Sequence, residues 1–412
     1  DNKYFLDLIY RYEGSSRFGK NQRFAPFWSV GGGWNIHNEK FMKGSPVSLL
    51  KLRASVGYLG NINFNPYQAL TTYSYNSSYF YGKGTGATPI TIGNPDLKWE
   101  RTLSTNIGVD FTAFRGRVDL SADYYIKNTD NLLLDITKAP SVGVTTSREN
   151  IGEVQNSGFE LRLRTFPIQN KDWQWSLGLT YAYNKNKIKK ISNSLREQNE
   201  KNKADNGVAP LPIYEEGQSL TALKVVPSAG IDPVTGQEIF IKRDGTYTFV
   251  YDSNDKVIFG DTNPIGTGSI NSYLTYKRFA LSCSFLYSFG GSLYNETLAT
   301  KVEGANPKYN ADERVLNDRW KTPGTIAKYK RIDDTTTPYQ TSRFVEKNNF
   351  LRMSSLSLSY EVPTTFIQKY GLKRMFLELL TNDLFYLSTA KRERGLNYPY
   401  DRSFEFSVRF SL

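Results

Sequence analysis

The chain has 412 residues, a formal net charge of +12 and an aromatic content of 14%, with 28 Tyr and 25 Phe. A single Cys and a single His exclude a disulfide framework and a Cys/His zinc cluster, and they leave almost nothing for Ser-His or Cys-His catalysis. No apolar run approaches the roughly 20 residues of a membrane-spanning helix, and no signal-peptide pattern is present, so we expect such a leader to be absent or already removed.

Segments in which apolar and polar residues alternate recur along the whole chain, which is the pattern of half-buried β-strands. The last ten residues, SFEFSVRFSL, place an apolar residue at every even position. A strand of about ten residues, tilted near 45°, spans the about 25 Å of a bilayer's apolar band. The sequence predicts about twelve strands, over residues 3–12, 26–37, 48–59, 101–113, 117–127, 158–167, 172–187, 265–276, 279–290, 347–361, 372–386 and 402–412.

The connections between these strands are alternately short and long from the second strand onward. The short ones include Arg115-Gly116 and Lys277-Arg278, and the long ones cover about residues 60–100, 128–157, 188–264 and 291–346. Membrane barrels have short periplasmic turns and long extracellular loops, whereas a soluble β-sandwich has no reason to separate its two ends in this way. The pattern therefore favours a transmembrane antiparallel β-barrel over a sandwich.

The two faces of the predicted strands have different partners. Apolar faces meet lipid, and a one-residue slip of the last strand would turn Glu405 and Arg409 towards it, so we expect the register to be fixed. Small polar-face residues such as Gly178, Ser282 and Ser284 predict a wide lumen. Basic residues are spread along the chain without a long run, which favours an anionic lipid surface or substrate over nucleic acid.

Six stretches of the chain resemble motifs of the SusC/RagA class of TonB-dependent outer-membrane transporters. They are YRYEGSSRFG (10–19), LKLRASVGYLGN (50–61), NPDLKWERT (94–102), NIGEVQNSGFEL (150–161), GIDPVTGQEIF (230–240) and FLRMSSLSLSYEVP (350–363). They occur in the order used by the family, and the resemblance covers essentially the whole chain.

The resemblance implies that residues 1–412 are the C-terminal part of the barrel, with about twelve of 22 strands. The plug domain and the segment that contacts TonB have no counterpart here. The implied function is TonB-dependent import of oligosaccharides or oligopeptides across the bacterial outer membrane, beside a SusD-like surface lipoprotein that closes the extracellular face. No cofactor and no enzymatic activity are implied.

The resemblance also gives the last strand a role. It implies that the strand ending at Leu412 closes the barrel against the first strand of a complete protein, with the C-terminus on the periplasmic side. Phe410 would be the aromatic residue read by the insertion machinery, although many family members end on Phe itself.

Several residues that could suggest other chemistry have simpler interpretations. Gly82 to Gly86 lacks the ending of a phosphate-binding loop and is predicted to be a flexible extracellular loop. Asp232, Asp252 and Asp255 lack the spacing of a calcium loop and are predicted to form turns. His37 has no catalytic partner motif near it. Cys283 falls on the apolar face and is predicted to act as a small hydrophobic residue.

Aromatic residues divide between the strand ends and one long loop. We expect four Trp residues to form interfacial girdles: Trp28, Trp34, Trp173 and Trp175. The loop of residues 291–346 carries a set that would suit stacking on a sugar or peptide, loop packing, or docking of a partner lid: Tyr294, Tyr309, Arg314, Arg319, Trp320 and Tyr339. The sequence does not choose among these roles, so no substrate-binding, catalytic or metal residue is assigned.

Two other classes of function stay open. A passive channel, or a structural barrel that displays loops, would have neither a plug nor TonB dependence. An outer-membrane hydrolase would need a nucleophile and a base near the barrel rim, and His37 is the only imidazole that could serve.

Overall fold

Twelve long antiparallel strands form one continuous sheet in the computed structural model, which describes residues 2–62, 65–82, 84–306, 308–309, 311–391, 393 and 401–411. These wall strands are β1 (Tyr4–Gly14), β2 (Phe24–Asn35), β3 (Val47–Asn61), β6 (Glu100–Ala113), β7 (Val118–Asp130), β10 (Gly152–Gln169), β11 (Trp173–Ile191), β17 (Gly266–Tyr276), β18 (Phe279–Tyr294), β19 (Val345–Glu361), β20 (Arg374–Asn382) and β22 (Phe404–Ser411). Each wall strand pairs with its neighbours in this order, and the short β21 (Tyr386–Ser388) adds to β19.

All twelve predicted strands are confirmed, while several of them are longer than predicted, β10 and β11 among them. β10 begins six residues earlier than the alternation indicated, and β11 continues to Ile191. Both extensions are rich in polar residues, because these parts of the strands continue beyond the apolar zone that produced the pattern. Leu412, where the last strand was predicted to end, lies outside the described residues.

The sheet has one apolar and one polar face, as the alternation predicted. On the apolar face, side chains follow one another across the strands, as in the row Leu163, Leu179, Ile270 and Phe285. On the polar face the neighbouring row contains Gly178, Asn271 and Ser284. Phe404, Phe406 and Phe410 are each about two-thirds exposed on the outside of the sheet, at 65%, 65% and 64%, so the last strand packs in no compact core.

The long connections all leave the same end of the sheet, because successive wall strands are antiparallel. This long-loop end carries the described residues within 15–23, 62–99, 131–151, 192–265, 295–344 and 383–403, and the sequence had singled out neither the first nor the last of these as a long connection. The opposite, short-turn end carries residues 36–46, 114–117, 170–172, 277–278 and 362–373. Strand β22 runs from the long-loop end to the short-turn end.

The long connections contain secondary structure that the alternation did not predict. Two hairpins, β4–β5 (Thr72–Tyr81, Gly84–Thr91) and β8–β9 (Leu133–Thr137, Thr146–Asn150), stand above the wall. Residues 192–265 form helix α1 (Asn193–Ala204), strands β12 (Ala222–Val225), β13 (Ser228–Ile231), β14 (Glu238–Ile241), β15 (Tyr247–Thr248) and β16 (Val257–Asp261), and a 3-10 turn (Ser253–Asp255). Residues 295–344 hold a π-helical segment (Leu298–Glu303), helix α2 (Arg314–Asn317) and a 3-10 turn (Ser342–Phe344).

Smaller helical turns complete the described chain. Those at the short-turn end are two 3-10 turns (Ile36–Asn38, Lys40–Met42), helix α3 (Thr364–Ile367) and a 3-10 turn (Gln368–Tyr370), and one more 3-10 turn (Pro140–Val142) joins β8 to β9. Among the described residues, no helix combines the length and hydrophobicity needed to cross a membrane.

The two outer strands of the sheet each pair on one side only. β1 pairs with β2, β22 pairs with β20, and no ladder joins β1 to β22 among the described residues. The sheet is therefore one part of a barrel wall. Closure would require further strands between these two edges, since lipid offers no partner to free backbone groups.

Candidate functional site

The polar face of the wall carries a row of charged side chains at its centre. Arg53 on β3 donates from Nε to Asp110 (2.8 Å) and from Nη2 to Asp123 on β7 (3.1 Å). Ser121 also donates to Asp110, at 2.9 Å. This network joins three strands. It gives donors of the guanidinium carboxylate oxygens as partners, as a partly buried charged group requires.

Beside this network the wall curves around a cavity of about 540 Å³. Its polar lining comes from β7, β10, β11 and β17, and includes Asp123, Glu160, Arg162 and Thr180. Glu160 and Arg162 are exposed and form no ion pair within the described part of the chain. The cavity therefore presents a carboxylate and a guanidinium, two residues apart on one strand, to whatever occupies the lumen.

At the long-loop end, residues 15–23 and 62–99 share a small aromatic core. Trp99 stacks on Phe18 with ring centroids 4.3 Å apart and meets Phe27 edge-on at 5.1 Å. Its Nε1 donates to the carbonyl of Arg23 at 3.0 Å, and Leu97 beside it is fully buried. An indole fits here because its N–H has a partner while its ring is enclosed.

Asn150 joins the next loop to this core. Its Nδ2 donates to the carbonyls of Lys98 and Asn131, at 3.1 and 2.9 Å, and its Oδ1 accepts from the N–H of Lys98 at 3.0 Å. One amide thus replaces backbone pairing between two loops, so the three loops 15–23, 62–99 and 131–151 form one packed group.

Residues 192–265 and 295–344, which we call the upper loop pair, interlock. Val226 and Gln340–Ser342 exchange backbone hydrogen bonds of 3.0 Å in each direction. The side-chain Nε2 of Gln340 donates to the carbonyls of Gly207 (2.8 Å) and Ala209 (3.1 Å), and Tyr251 stacks on Tyr339 at 4.2 Å. Contacts of this kind run between residues more than 80 positions apart, so neither loop can keep this shape alone.

A buried charge cluster holds the centre of the upper loop pair. Arg343 donates to Glu238 from the first loop and to Glu303 from the second, both at 2.6 Å, and the three side chains are only 9%, 2% and 1% exposed. Burial by itself would lower the pKa of Arg343, but the two carboxylates outweigh it and hold that pKa above its ordinary value. Removing one partner from such a cluster leaves an uncompensated buried charge.

Arg319 is a second buried guanidinium, and it binds backbone instead of carboxylates. It donates to the carbonyls of Val302 (2.6 Å) and Glu303 (2.9 Å), and also to Val315 and Lys330. These carbonyls include the last ones of the π-helical segment, which have no partner within it. Burial lowers the pKa of Arg319, and the side chain acts as a structural cap.

The six loop residues considered for substrate contact do not form one surface. Tyr294 donates to Val208 O and packs edge-on against Phe344, and Arg314 is held by Asp312 and Glu393. Trp320 donates to Pro233 O and lies over Gly236. Arg319 and Tyr339 are also engaged in loop packing, so only Tyr309 remains largely exposed.

The other residues singled out from the sequence have simple surroundings. In the part of the chain that the structure describes, the hydrogen-bond partner of His37 is the carbonyl of Leu50, 3.2 Å from Nδ1. Asp232 and Asp252 accept backbone N–H groups of their own turns, and Asp255 accepts from Arg243 N, which confirms the turn prediction. Cys283 lies half-buried on the apolar face. Among the described residues, no group of His, Cys, Asp and Glu could hold a metal ion.

One loop prediction is wrong. Gly82 to Gly86, predicted to be a flexible loop, is part of the β4–β5 hairpin: Gly82 follows β4 at φ 62°, and Gly84 to Gly86 lie in β5. Gly82 supplies a positive φ where the two strands connect. Lys83, the second residue of this segment, lies outside the described residues.

Trp34, Trp173 and Trp175 lie within three residues of the end of a wall strand, as expected, whereas Trp28 is the fifth residue of β2. Trp28 meets Tyr58 edge-on, and Trp173 packs on Tyr276 at 4.1 Å. Trp34 donates to Glu39, and Trp175 donates to Ser272. Sequence reasoning missed Trp99, the one buried indole among these loops. Its place in NPDLKWERT, just before a wall strand, was the available signal.

Comparison with known proteins gives the family. Residues 1–213 match the TonB dependent receptor-like β-barrel family. The chain belongs to this family. Proteins of this family lie in the outer membrane, and the SusC/RagA resemblance of the sequence motifs is confirmed.

Individual relatives match nearly the whole chain. TonB-dependent receptor P3 of Formosa agariphila is 30% identical over 399 residues, covering 91% of this chain and 39% of that protein. TonB-dependent receptor SusC of Bacteroides thetaiotaomicron is 28% identical over 376 residues, covering 87% and 36%. A structure of the RagAB peptide transporter is 25% identical and superposes with a TM-score of 0.82, covering 95% of this chain and 43% of that one. The chain therefore spans less than half the length of these relatives.

Proposed function

We propose that residues 1–412 form the C-terminal part of the barrel of a TonB-dependent transporter that imports oligosaccharides or oligopeptides across the outer membrane. In this proposal the long-loop end faces outwards, the C-terminus lies on the periplasmic side, and a SusD-like lipoprotein covers the loops. TonB acts through a plug domain outside residues 1–412. The chain performs no covalent chemistry.

The observation that carries the proposal is the pairing of a broad polar wall with interlocked loops at one end only. The charged cavity beside Glu160 and Arg162 offers hydrogen-bonding groups of both signs inside the lumen. The loops above it are packed around the aromatic and ionic cores described above, which suits a fixed platform for a second protein. The relative named TonB-dependent receptor SusC supports dependence on TonB, and the structure of the RagAB peptide transporter supports a peptide as one class of cargo.

The test is uptake by cells that carry the intact protein, supplied with fluorescent oligosaccharides or oligopeptides of graded length. We expect accumulation of one of the two classes, its loss when the inner-membrane proton gradient is collapsed, and its loss in a strain without TonB. A lipoprotein should co-purify after gentle detergent extraction.

The alternative is a passive channel or a structural barrel, and the same experiment separates it from import. A channel would pass small solutes with or without TonB and would not concentrate them. Accumulation that survives removal of TonB would contradict the proposed transport.

A further inference from the structure

Three lysines continue the lipid-facing side of β11 beyond its aromatic residues. The odd positions of this strand face outwards, because Leu179 pairs with Ile270 and Tyr181 stacks on Phe289 on the apolar face. Lys185 and Lys187 follow in the same alternation, and Lys189 lies one step further, at a bulge. Ile188, between the last two, is buried on the opposite side at 2% exposure, so the lysines point away from the loops. We call them the lysine row.

The height of the lysine row follows from strand geometry. Trp173 and Tyr183 bound the apolar stretch of β11 and are ten residues apart. At about 3.3 Å per residue and a tilt near 45°, they are separated by about 23 Å along the membrane normal, close to the about 25 Å of the apolar band. Lys185, Lys187 and Lys189 then lie about 5, 9 and 14 Å beyond Tyr183 on the same estimate, at the depth of lipid headgroups.

The lysine row has no anionic partner in the described chain. None of the three side chains forms an ion pair or a side-chain hydrogen bond there, whereas Lys203 and Lys224 in the adjoining loop are paired with Glu200 and Glu215. The residues directly opposite Lys185 and Lys187 on β10 are Ser157 and Gln155, which carry no charge. Glu153 lies opposite Lys190 beside the bulge and forms no ion pair within the described chain. Three neighbouring cations that lack an ion-pair partner repel one another, and an external anion reduces that cost.

A groove beside the row has both polar and apolar walls. Its volume is about 420 Å³, and its lining includes Tyr183, Lys185, Lys187 and Ile265. Ile265 is 55% exposed. One carboxylate, Asp261, also lines the groove, but it accepts hydrogen bonds from Thr221 Oγ1 (2.6 Å) and Asn263 N (2.9 Å). Apolar side chains such as Ile265 next to cations suit an amphiphile better than a free anion.

We propose that the lysine row binds the headgroup of an outer-leaflet lipid that carries more than one phosphate, with the groove holding the adjoining part of the molecule. The row is about 13 Å long, since four residues separate its ends at about 3.3 Å each, which exceeds the reach of one phosphate. Ammonium groups bind phosphate as point charges and need no fixed fork. The assignment to the outer leaflet rests on the proposed function, in which the long loops face outwards. The binding of the lipid by the lysine row does not depend on that orientation.

The experiment measures lipid binding to the intact protein, extracted in mild detergent and freed of native lipid. A bisphosphorylated lipid A-type glycolipid is titrated against wild type and against the triple variant Lys185→Gln/Lys187→Gln/Lys189→Gln, with bound lipid counted by native mass spectrometry. Because each lysine beside a lipid headgroup contributes about a fivefold gain in binding, the triple variant should bind about a hundredfold more weakly.

Three controls make the result specific. Lys40→Gln/Lys43→Gln/Lys373→Gln removes the same charge at the short-turn end and should bind like wild type. Lys185→Arg/Lys187→Arg/Lys189→Arg keeps the charge and should retain binding. The dephosphorylated glycolipid should bind wild type no better than it binds the triple Gln variant.

Two outcomes would overturn the proposal. One is an equal loss of binding in the two triple Gln variants, which would mean that only net charge matters. The other is displacement of the glycolipid by an equal concentration of inorganic phosphate, which would indicate a site for a soluble anion. The lipid titration requires no transport, so its result can be interpreted even if the uptake experiment contradicts the proposed function.

Discussion

Arg343 shows how much of the upper loop pair depends on one side chain. Among the described residues, it is the cation that forms ion pairs with the carboxylates of Glu238 and Glu303, which the fold has otherwise removed from water. Because the carboxylates come from different loops, the guanidinium compensates both charges and also joins the two segments.

Replacement Arg343→Ala should therefore open the upper loop pair. Leaving buried charges without a partner costs about 3–5 kcal/mol, which exceeds the small local stability expected of long surface loops. Hydrogen exchange of residues 226–241 and 298–344 should rise, while the wall strands stay protected.

Arg331→Ala is the matched control, since Arg331 forms an exposed pair with Asp333 and such pairs contribute about 0–1 kcal/mol. Equal exchange in the two variants would show that the buried cluster carries no special stabilisation.

Asp312 makes the stability of the loop segment around it depend on pH. Arg314 donates to both of its carboxylate oxygens, at 2.8 and 2.7 Å, and holds the pKa of Asp312 well below the usual 3.8. A carboxyl group whose pKa is depressed by folding stabilises the fold above its unfolded pKa, and this contribution is lost as the pH falls towards the folded value.

We expect the segment around Asp312 to be equally protected from pH 7 down to about pH 4 and to open below that value. Hydrogen exchange corrected for intrinsic rates would measure this. In Asp312→Asn the segment should be less protected at pH 7 and should change little below pH 4. An unchanged acid transition in that variant would assign the effect to another group.

At the scale of single strands, sidedness decides which substitutions the wall accepts. Ile270 and Asn271 are neighbours at the centre of β17, one on the apolar face and one on the polar face. Arg at the bilayer midplane on the lipid side of a barrel costs about 2–4 kcal/mol, whereas the lumen side is wet.

Ile270→Arg should therefore destabilise the folded protein by about 2–4 kcal/mol in denaturant titration in lipid vesicles, and Asn271→Arg by much less. The two variants add the same side chain at adjacent positions, so each controls for the other. A larger loss in Asn271→Arg would place the lumen on the opposite face.

The strands could be predicted from the sequence because alternation is local. Each wall strand contains its own evidence, and even the unpaired Cys283 lies on the face that its neighbours indicated. The loop structure could not be predicted in this way. Trp99 packs on Phe18, and Arg343 joins Glu238 to Glu303, across separations that no short pattern encodes.

The candidate site was predictable only in part for the same reason. Loop aromatic and basic residues were the natural candidates for cargo, yet the fold uses Arg319 and Trp320 to pack loops together. Glu160 and Arg162, which line the lumen cavity, fall within the predicted strand 158–167, and the alternation did not distinguish them from its other polar residues.

At the scale of the whole molecule, the two ends of the wall differ in size and in chemistry. Ile326 in the upper loop pair is 93% exposed, and Lys43 is exposed in the connection between β2 and β3 at the other end. The proposed orientation places the first outside the cell and the second in the periplasm.

Cysteine labelling on intact cells tests this orientation. After Cys283→Ser, Ile326→Cys should react with a membrane-impermeant maleimide on whole cells, and Lys43→Cys should react only after the outer membrane is opened. The reverse pattern would invert the molecule and would move the lysine row to the inner leaflet.

The position of the family motifs has one more consequence. NPDLKWERT contributes Trp99 and Leu97 to the aromatic core, NIGEVQNSGFEL contributes the bridging Asn150, and GIDPVTGQEIF contributes Glu238 to the charge cluster. These motifs therefore hold the loops of the long-loop end together. Two relatives can therefore share all of these motifs and still carry different cargo. The residues that recognise the cargo would be others, which can change without disturbing the contacts between the loops.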